Sequence, residues 1–141
     1  MASRTQHLER LAEIPMFSAL SQRDLGRIAK ASNEITVDAG RLLVDQGDAG
    51  REAFIIISGS ATVKRNGRKV GTVGPGDAIG EMALLDHGPR TASVTADTEV
   101  TALVLTAREF GGVVEEVPSL AQKILAQLAG RVRELDRQIY G

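Results

Sequence analysis

The chain has 141 residues, a length that suits a single domain able to bury most of its surface around one core. Its 17 Lys and Arg nearly balance its 18 Asp and Glu, and a formal charge of −1 gives no global field to attract nucleic acid or a membrane surface. It contains no cysteine, which excludes disulfides, zinc–thiolate sites and cysteine nucleophiles. The N-terminus lacks the apolar segment of a signal peptide, and no apolar run approaches the ~20 residues of a membrane helix, so we expect a cytoplasmic protein.

Residues 1–33 are predicted to form helices. The first ends at Pro15, because proline interrupts the helical hydrogen bonds. A second begins after Ser21, a candidate N-cap, and Asp24 stands three residues later as the partner of a capping box.

Residues 34–106 change to short β-prone runs separated by turn residues. Asn66-Gly67 between two of them is the strongest short hairpin signal and predicts a type I′ turn. Seven or eight strands at this spacing favour a small antiparallel barrel or jelly roll, which closes on itself and hides its edges. The runs are 34–37, 41–44, 53–58, 60–65, 69–74, 90–96 and 98–106.

The helical period returns over 107–141. Thr106 is a candidate cap with Glu109 as its capping-box partner, and a last helix of about 22 residues is predicted to open at Pro118 or Ser119. Its apolar residues recur at heptad-like steps of three and four. A helix with such a seam either lies across the barrel, pairs with a second copy of itself, or does both. The seam residues are Leu125, Leu128, Val132, Leu135 and Ile139.

Several chemistries are absent from the sequence. The stretch 74–80 matches neither a dinucleotide fingerprint nor a P-loop, and no serine lies in a nucleophile elbow. His7 and His87 are the only histidines, so we expect no metal centre and no cupin-like enzyme. The basic stretch 64–69 brackets a hairpin turn, and we interpret its charges as solvated.

The stretch "GEMALLDHGPRTA", residues 80–92, is the one that carries chemistry. Gly80 lets a ligand approach the backbone, and a short helical turn after Glu81 would present N–H groups to an anion. Arg90 offers a planar charged fork suited to one phosphate, with the Thr91 hydroxyl beside it. Glu81 would repel a phosphate but can accept a hydrogen bond from a ribose hydroxyl. The pattern predicts a nucleotide with one phosphate charge close to its ribose.

A purely structural interpretation competes with this one. Glu81 and Arg90 could form a salt bridge across the turn, or Arg90 could pair with Asp86. The glycine, the short helix and the hydroxyl stand where a ligand site needs them, which favours binding.

Residues 76–94, "GDAIGEMALLDHGPRTASV", closely resemble the phosphate-binding cassette of cyclic nucleotide-binding domains, found in protein kinase A regulatory subunits, cyclic nucleotide-gated channels and the catabolite activator protein. The resemblance extends over nearly the whole chain. It implies an α+β fold: an eight-stranded antiparallel β-roll with N-terminal helices, two C-terminal helices and one short helix inside the cassette. It also implies a regulatory module without enzymatic activity or cofactor, whose ligand is cAMP or, as an alternative, cGMP.

The resemblance also implies roles for individual residues. Glu81 would accept the ribose 2′-OH while the cyclic phosphate binds Arg90, and other cassette and roll residues would close on sugar, phosphate and base. Those further residues are Gly80, Ala83, Thr91 and Ala92 around sugar and phosphate, and Val73, Ile79 and Met82 along the wall. Candidate base contacts on the last helix are Arg131, Leu135, Asp136 and Tyr140.

The 141 residues themselves contain no DNA-reading, channel or kinase-inhibitor segment of the kind that the family's larger members carry. We therefore expect no direct DNA binding, and either a free-standing sensor or a domain of a longer regulator. A homodimer through helix 118–140 is plausible from the seam, and the downstream effector is unspecified. A roll that no longer binds ligand and serves as an interaction domain is the alternative from another class.

Overall fold

The computed structural model describes residues 4–81, 83–86 and 88–140. Its elements confirm the predicted roll flanked by helices. In chain order they are α1 (Arg4–Ala12), a 3₁₀ turn (Pro15–Phe17), α2 (Gln22–Ala31), β1 (Asn33–Val37), β2 (Leu42–Val44), β3 (Glu52–Ser58), β4 (Ala61–Arg65), β5 (Arg68–Val73), β6 (Ala78–Ile79), α3 (Ala83–Asp86), β7 (Ser93–Ala96), β8 (Val100–Thr106), α4 (Ala107–Glu116) and α5 (Pro118–Tyr140).

The strands form two four-stranded antiparallel sheets, ordered β1-β8-β3-β6 and β2-β7-β4-β5. Successive side chains of β3 point to opposite faces of its sheet. Ala53, Ile55 and Ile57 pack against the helices, whereas Phe54 and Ile56 pack inside the roll. This explains the continuous apolar run in the sequence, since both faces of the strand are buried.

The predicted local signals are present. Asn66 and Gly67 have φ values of 53° and 78°, as a type I′ turn requires. Ser21 accepts a hydrogen bond from the Asp24 backbone N–H at 3.1 Å, and the Thr106 hydroxyl accepts one from the Glu109 N–H at 3.1 Å. These side chains start α2 and α4 because they satisfy N–H groups that have no partner in the first turn.

Two element boundaries and one short strand differ from the sequence prediction. α1 ends at Ala12, and Pro15 instead opens the 3₁₀ turn, where its missing N–H costs nothing. β6 has only two residues, too few to show a period in the sequence, and pairs with Phe54 and Ile55 of β3. The strand predicted over 90–96 begins at Ser93, because the preceding backbone pairs with the loop at 47–50 instead.

α5 follows the predicted length but packs through its first half only. Leu120 and Ile124 are buried in the helix-side core and Leu128 is partly buried there, whereas residues 131–139 are exposed. Gln127 Nε2 donates to the Ser18 hydroxyl at 2.6 Å and thereby holds α5 against the N-terminal helices. Among the described helices, none is long and apolar enough to cross a bilayer.

Candidate functional site

A cavity of about 290 Å³ opens inside the roll, between the second sheet and the 80–92 segment. Its walls are mostly aliphatic, and its polar side chains are Arg65, Arg90 and Thr91. Six of the residues predicted for the site line it together: Val73, Ile79, Gly80, Arg90, Thr91 and Ala92. The other lining residues are Val44, Val63, Arg65, Ala78, Gly88, Pro89 and Val94.

Arg90 is held in this wall by its backbone and by one side of its guanidinium. The backbone N–H of Arg90 donates to the Asp48 carbonyl at 2.7 Å, and the Arg90 carbonyl accepts from the Gly47 N–H at 2.9 Å. Nη2 donates to the Glu52 carbonyl at 2.7 Å. The other terminal nitrogen, Nη1, is buried and has no hydrogen-bond partner within the described part of the chain. Because buried donors are nearly always paired, an unpaired cationic donor marks a place for an acceptor.

Gly80 lies directly against that unpaired nitrogen. Its φ of +69° is in the left-handed region, and a Cβ at this position would collide with Arg90 Nη1. Glycine is therefore required twice here, for the backbone conformation and for the space in front of the guanidinium.

Glu81 follows at the start of α3 and is half-buried. Its carbonyl accepts from the Leu84 N–H at 3.2 Å, which closes the first turn of α3. Over the described residues, its carboxylate forms no ion pair with Arg90 and no hydrogen bond, so the salt bridge considered from the sequence is not formed. Glu81 is not one of the residues that line the cavity.

Other predicted positions are only partly described. Met82 lies outside the described residues, and of Ala83 only the backbone position in α3 is given. The side chain of Asp86, the alternative partner of Arg90, is not described either.

The candidate base contacts on α5 are not brought to the cavity. Arg131, Leu135 and Asp136 are exposed on the distal half of the helix, and none of them lines the cavity. The side chain of Tyr140 is outside the description.

Arg65 is a cavity residue that sequence reasoning missed. The solvated interpretation suits Lys64, Arg68 and Lys69, which are exposed, but Arg65 lines the cavity and its Nε donates to the Thr91 carbonyl at 3.1 Å. Strand alternation gives the missing signal, because Arg65 lies on the same face of β4 as cavity-lining Val63.

Metal binding has no support in the described residues, which contain no cluster of three or more His, Cys, Asp or Glu able to hold an ion. The site is thus an aliphatic cavity with one buried cationic donor and a second arginine at its edge, and half-buried Glu81 follows the lining residue Gly80 in the chain. Such a set of groups suits a small ligand that carries one anionic group.

The sequence profile of the family described as "Cyclic nucleotide-binding domain" matches residues 34–116, which is more than half of the chain. The chain therefore belongs to the cyclic nucleotide-binding domain family.

Named relatives agree with this assignment. The chain is 30% identical over 140 residues to a cAMP-dependent protein kinase regulatory subunit of Mycosarcoma maydis, covering 93% of this chain and 25% of that protein. It is 28% identical over 130 residues to the cyclic AMP receptor protein of Thermus thermophilus, covering 89% and 60%. The chain thus spans less than two thirds of each of these relatives.

Solved structures share the fold. The N-terminal domain of a transcriptional regulator from Streptomyces coelicolor A3(2) superposes with a TM-score of 0.85 at 32% identity, covering 91% of this chain and 95% of that one. The regulatory domain of Toxoplasma gondii PKA, solved with cAMP, superposes with a TM-score of 0.73 at 32% identity, covering 80% and 45%.

Proposed function

We propose that this chain is a cAMP-binding regulatory module, and not an enzyme, that acts in the cytoplasm. The observation that carries the proposal is the buried Nη1 of Arg90, a cationic donor beside Gly80 that has no partner among the described residues. One such donor suits a single phosphate charge. Membership of the family supplies the class of ligand.

In the proposed complex the cyclic phosphate binds Arg90, with the Thr91 hydroxyl and the Ala92 amide completing its contacts. Glu81 accepts the ribose 2′-OH; the residue is half-buried, and its carboxylate has no partner among the described residues. Val73 and Ile79, which line the cavity, give the sugar and base an apolar wall. Met82 and the backbone of Ala83 close on the ligand from the cassette side.

The preference for cAMP over cGMP is supported by the relatives, whose names refer to cAMP. Thr91 favours cGMP instead, since a threonine hydroxyl here can accept a hydrogen bond from the guanine amino group. The base would be contacted last, by α5, through Arg131, Leu135, Asp136 or Tyr140.

The signal would leave the site through Leu84. This side chain is buried in the helix-side core together with Phe110 of α4 and Ile124 of α5. We propose that ligand draws the cassette inward, that Leu84 and Leu85 shift with it, and that α4 and α5 repack so that α5 moves over the base. The population of the moved state is limited by the difference in ligand affinity between the two states.

Calorimetric titration of the wild type and of Arg90→Ala with cAMP and cGMP tests the proposed site. Loss of a desolvated charge partner should weaken cAMP binding by at least ~2–3 kcal/mol. Arg68→Ala is the matched control, because Arg68 is an exposed arginine that does not line the cavity. Wild type that binds neither nucleotide below millimolar, or Arg90→Ala that binds as tightly as wild type, would refute the assignment.

One observation favours a second role beside ligand binding. Four large apolar residues on the seam of α5 are exposed, and an exposed apolar face of this kind marks an interaction surface. We propose a homodimer through the helix at 118–140. If the cavity binds nothing, the same face supports the alternative of a roll that serves only as an interaction domain.

A further inference from the structure

Two arginines line the cavity, and the proposed phosphate site uses only one. Arg65 stands at the end of β4, is exposed at the edge of the cavity, and is anchored by its Nε–H to the Thr91 carbonyl at 3.1 Å. It forms no ion pair with the described carboxylates. A guanidinium has five N–H donors, so the anchoring bond leaves the pair of terminal nitrogens available in a fixed orientation.

Arg65 lies toward the end of the cavity that would hold the base of the ligand. The phosphate end of the cavity is fixed at the buried Nη1 of Arg90 beside Gly80. Arg65 lies at the exposed edge instead, two residues beyond Val63 on the same face of β4. Val63 and Val73 form the aliphatic wall on which a flat purine would lie, and Arg65 continues that wall outward.

We propose that Arg65 is a specificity-determining residue that donates hydrogen bonds to the outer edge of the purine. A guanidinium only donates, and guanine presents two acceptors on that edge, O6 and N7. Adenine presents the N7 acceptor next to an amino donor, which an arginine fork cannot pair with. Arg65 therefore raises the affinity for 6-oxo purines relative to adenine and narrows any preference of the pocket for cAMP. This inference rests on the proposed function.

The experiment compares cAMP, cGMP and cIMP by calorimetric titration of the wild type, Arg65→Gln and Arg65→Lys. cIMP carries O6 and N7 but no 2-amino group, so the ratio of cIMP to cAMP affinity reports Arg65 without the contribution of Thr91. Lysine keeps the charge of Arg65 but lacks the planar fork. Arg68→Gln is the matched control, since Arg68 pairs with Arg65 across the hairpin and does not line the cavity.

We expect both Arg65 variants to lower cGMP and cIMP affinity about tenfold relative to cAMP, the smaller end of the range for a bidentate arginine–guanine contact. Arg68→Gln should leave the ratios unchanged. Equal losses for all three nucleotides in Arg65→Gln with recovery in Arg65→Lys would overturn the inference, because Arg65 would then act through its charge alone. If the wild type binds cyclic nucleotides and the Arg65 variants show the same affinity ratios as the wild type, only this inference is overturned. A wild type that binds no cyclic nucleotide refutes the proposed function as well.

Discussion

Glu81 provides a test of the ribose half of the site that does not depend on the phosphate. The residue is half-buried, and over the described residues its carboxylate has no partner. If it accepts the 2′-OH, Glu81→Ala should lower cAMP affinity by ~1.5–3 kcal/mol, the range for a hydrogen bond to a charged group. The same variant should bind 2′-deoxy-cAMP as the wild type does.

A double comparison of protein and ligand by calorimetry separates this bond from general damage to the site. Additive losses for Glu81→Ala and for the 2′-deoxy ligand would contradict the assignment.

Gly80, Glu81 and Arg90 could be selected from the sequence because backbone freedom, hydrogen-bond acceptance and a charged fork are properties of single residues. Arg65 could not, since its position at the cavity depends on which face of β4 meets the cavity.

At the scale of elements, one ion pair among the described residues joins α2 to α5. Lys123 Nζ donates to Asp24 Oδ2 at 3.0 Å, with the Asp24 side chain 10% exposed and that of Lys123 42% exposed. The hydrogen bond from Lys123 holds the pKa of Asp24 below its ordinary 3.8, against the opposing effect of burial. Asp24 therefore serves both as the capping-box residue of α2 and as the anchor of α5.

Lys123→Met should lower the free energy of unfolding by about 1–3 kcal/mol at pH 7, between the values for exposed and fully buried pairs. Because the folded-state pKa is lowered, the stabilisation is present above about pH 4, the unfolded-state pKa, and is lost as the pH falls through the folded-state pKa. Urea unfolding from pH 7 to pH 2 should show the two proteins converging in acid. If the free energies of unfolding of the two proteins stayed equally far apart at every pH, the assignment would be contradicted. Arg137→Met, which breaks an exposed ion pair, is the control and should change the free energy of unfolding little.

At the scale of the whole molecule, four large apolar residues on the seam of α5 are exposed. Leu125, Val132, Leu135 and Ile139 are 63%, 65%, 58% and 72% exposed. We expect the wild type to sediment as a dimer at micromolar concentration and Leu135→Glu to sediment as a monomer, because a charge in the seam would have to be desolvated. Arg133→Gln makes the same change in net charge on another face of the helix and should leave the dimer intact.

Analytical ultracentrifugation gives the answer, with cAMP titration as the check that the roll is folded in each variant. Monomeric wild type would remove the proposed dimer. Dimeric Leu135→Glu would place the interface on another surface of the chain.

The sequence by itself determined what depends on near neighbours along the chain. The caps at Ser21 and Thr106, the Asn66-Gly67 turn and the start of α5 follow from local hydrogen bonds and backbone preferences, which neighbouring residues specify. The motif at 76–94 likewise indicated the family, since its residues are adjacent in sequence.

Only the tertiary structure decided the features that depend on pairing between distant segments. Register between strands buries both faces of β3, creates the two-residue β6 and turns Arg65 toward Thr91. The carbonyl of Glu52, 38 residues away, accepts from one terminal nitrogen of Arg90, and the other has no partner in the described part of the chain. Long-range packing and hydrogen bonding set these outcomes, and the residues of one segment do not specify which distant segment they will contact.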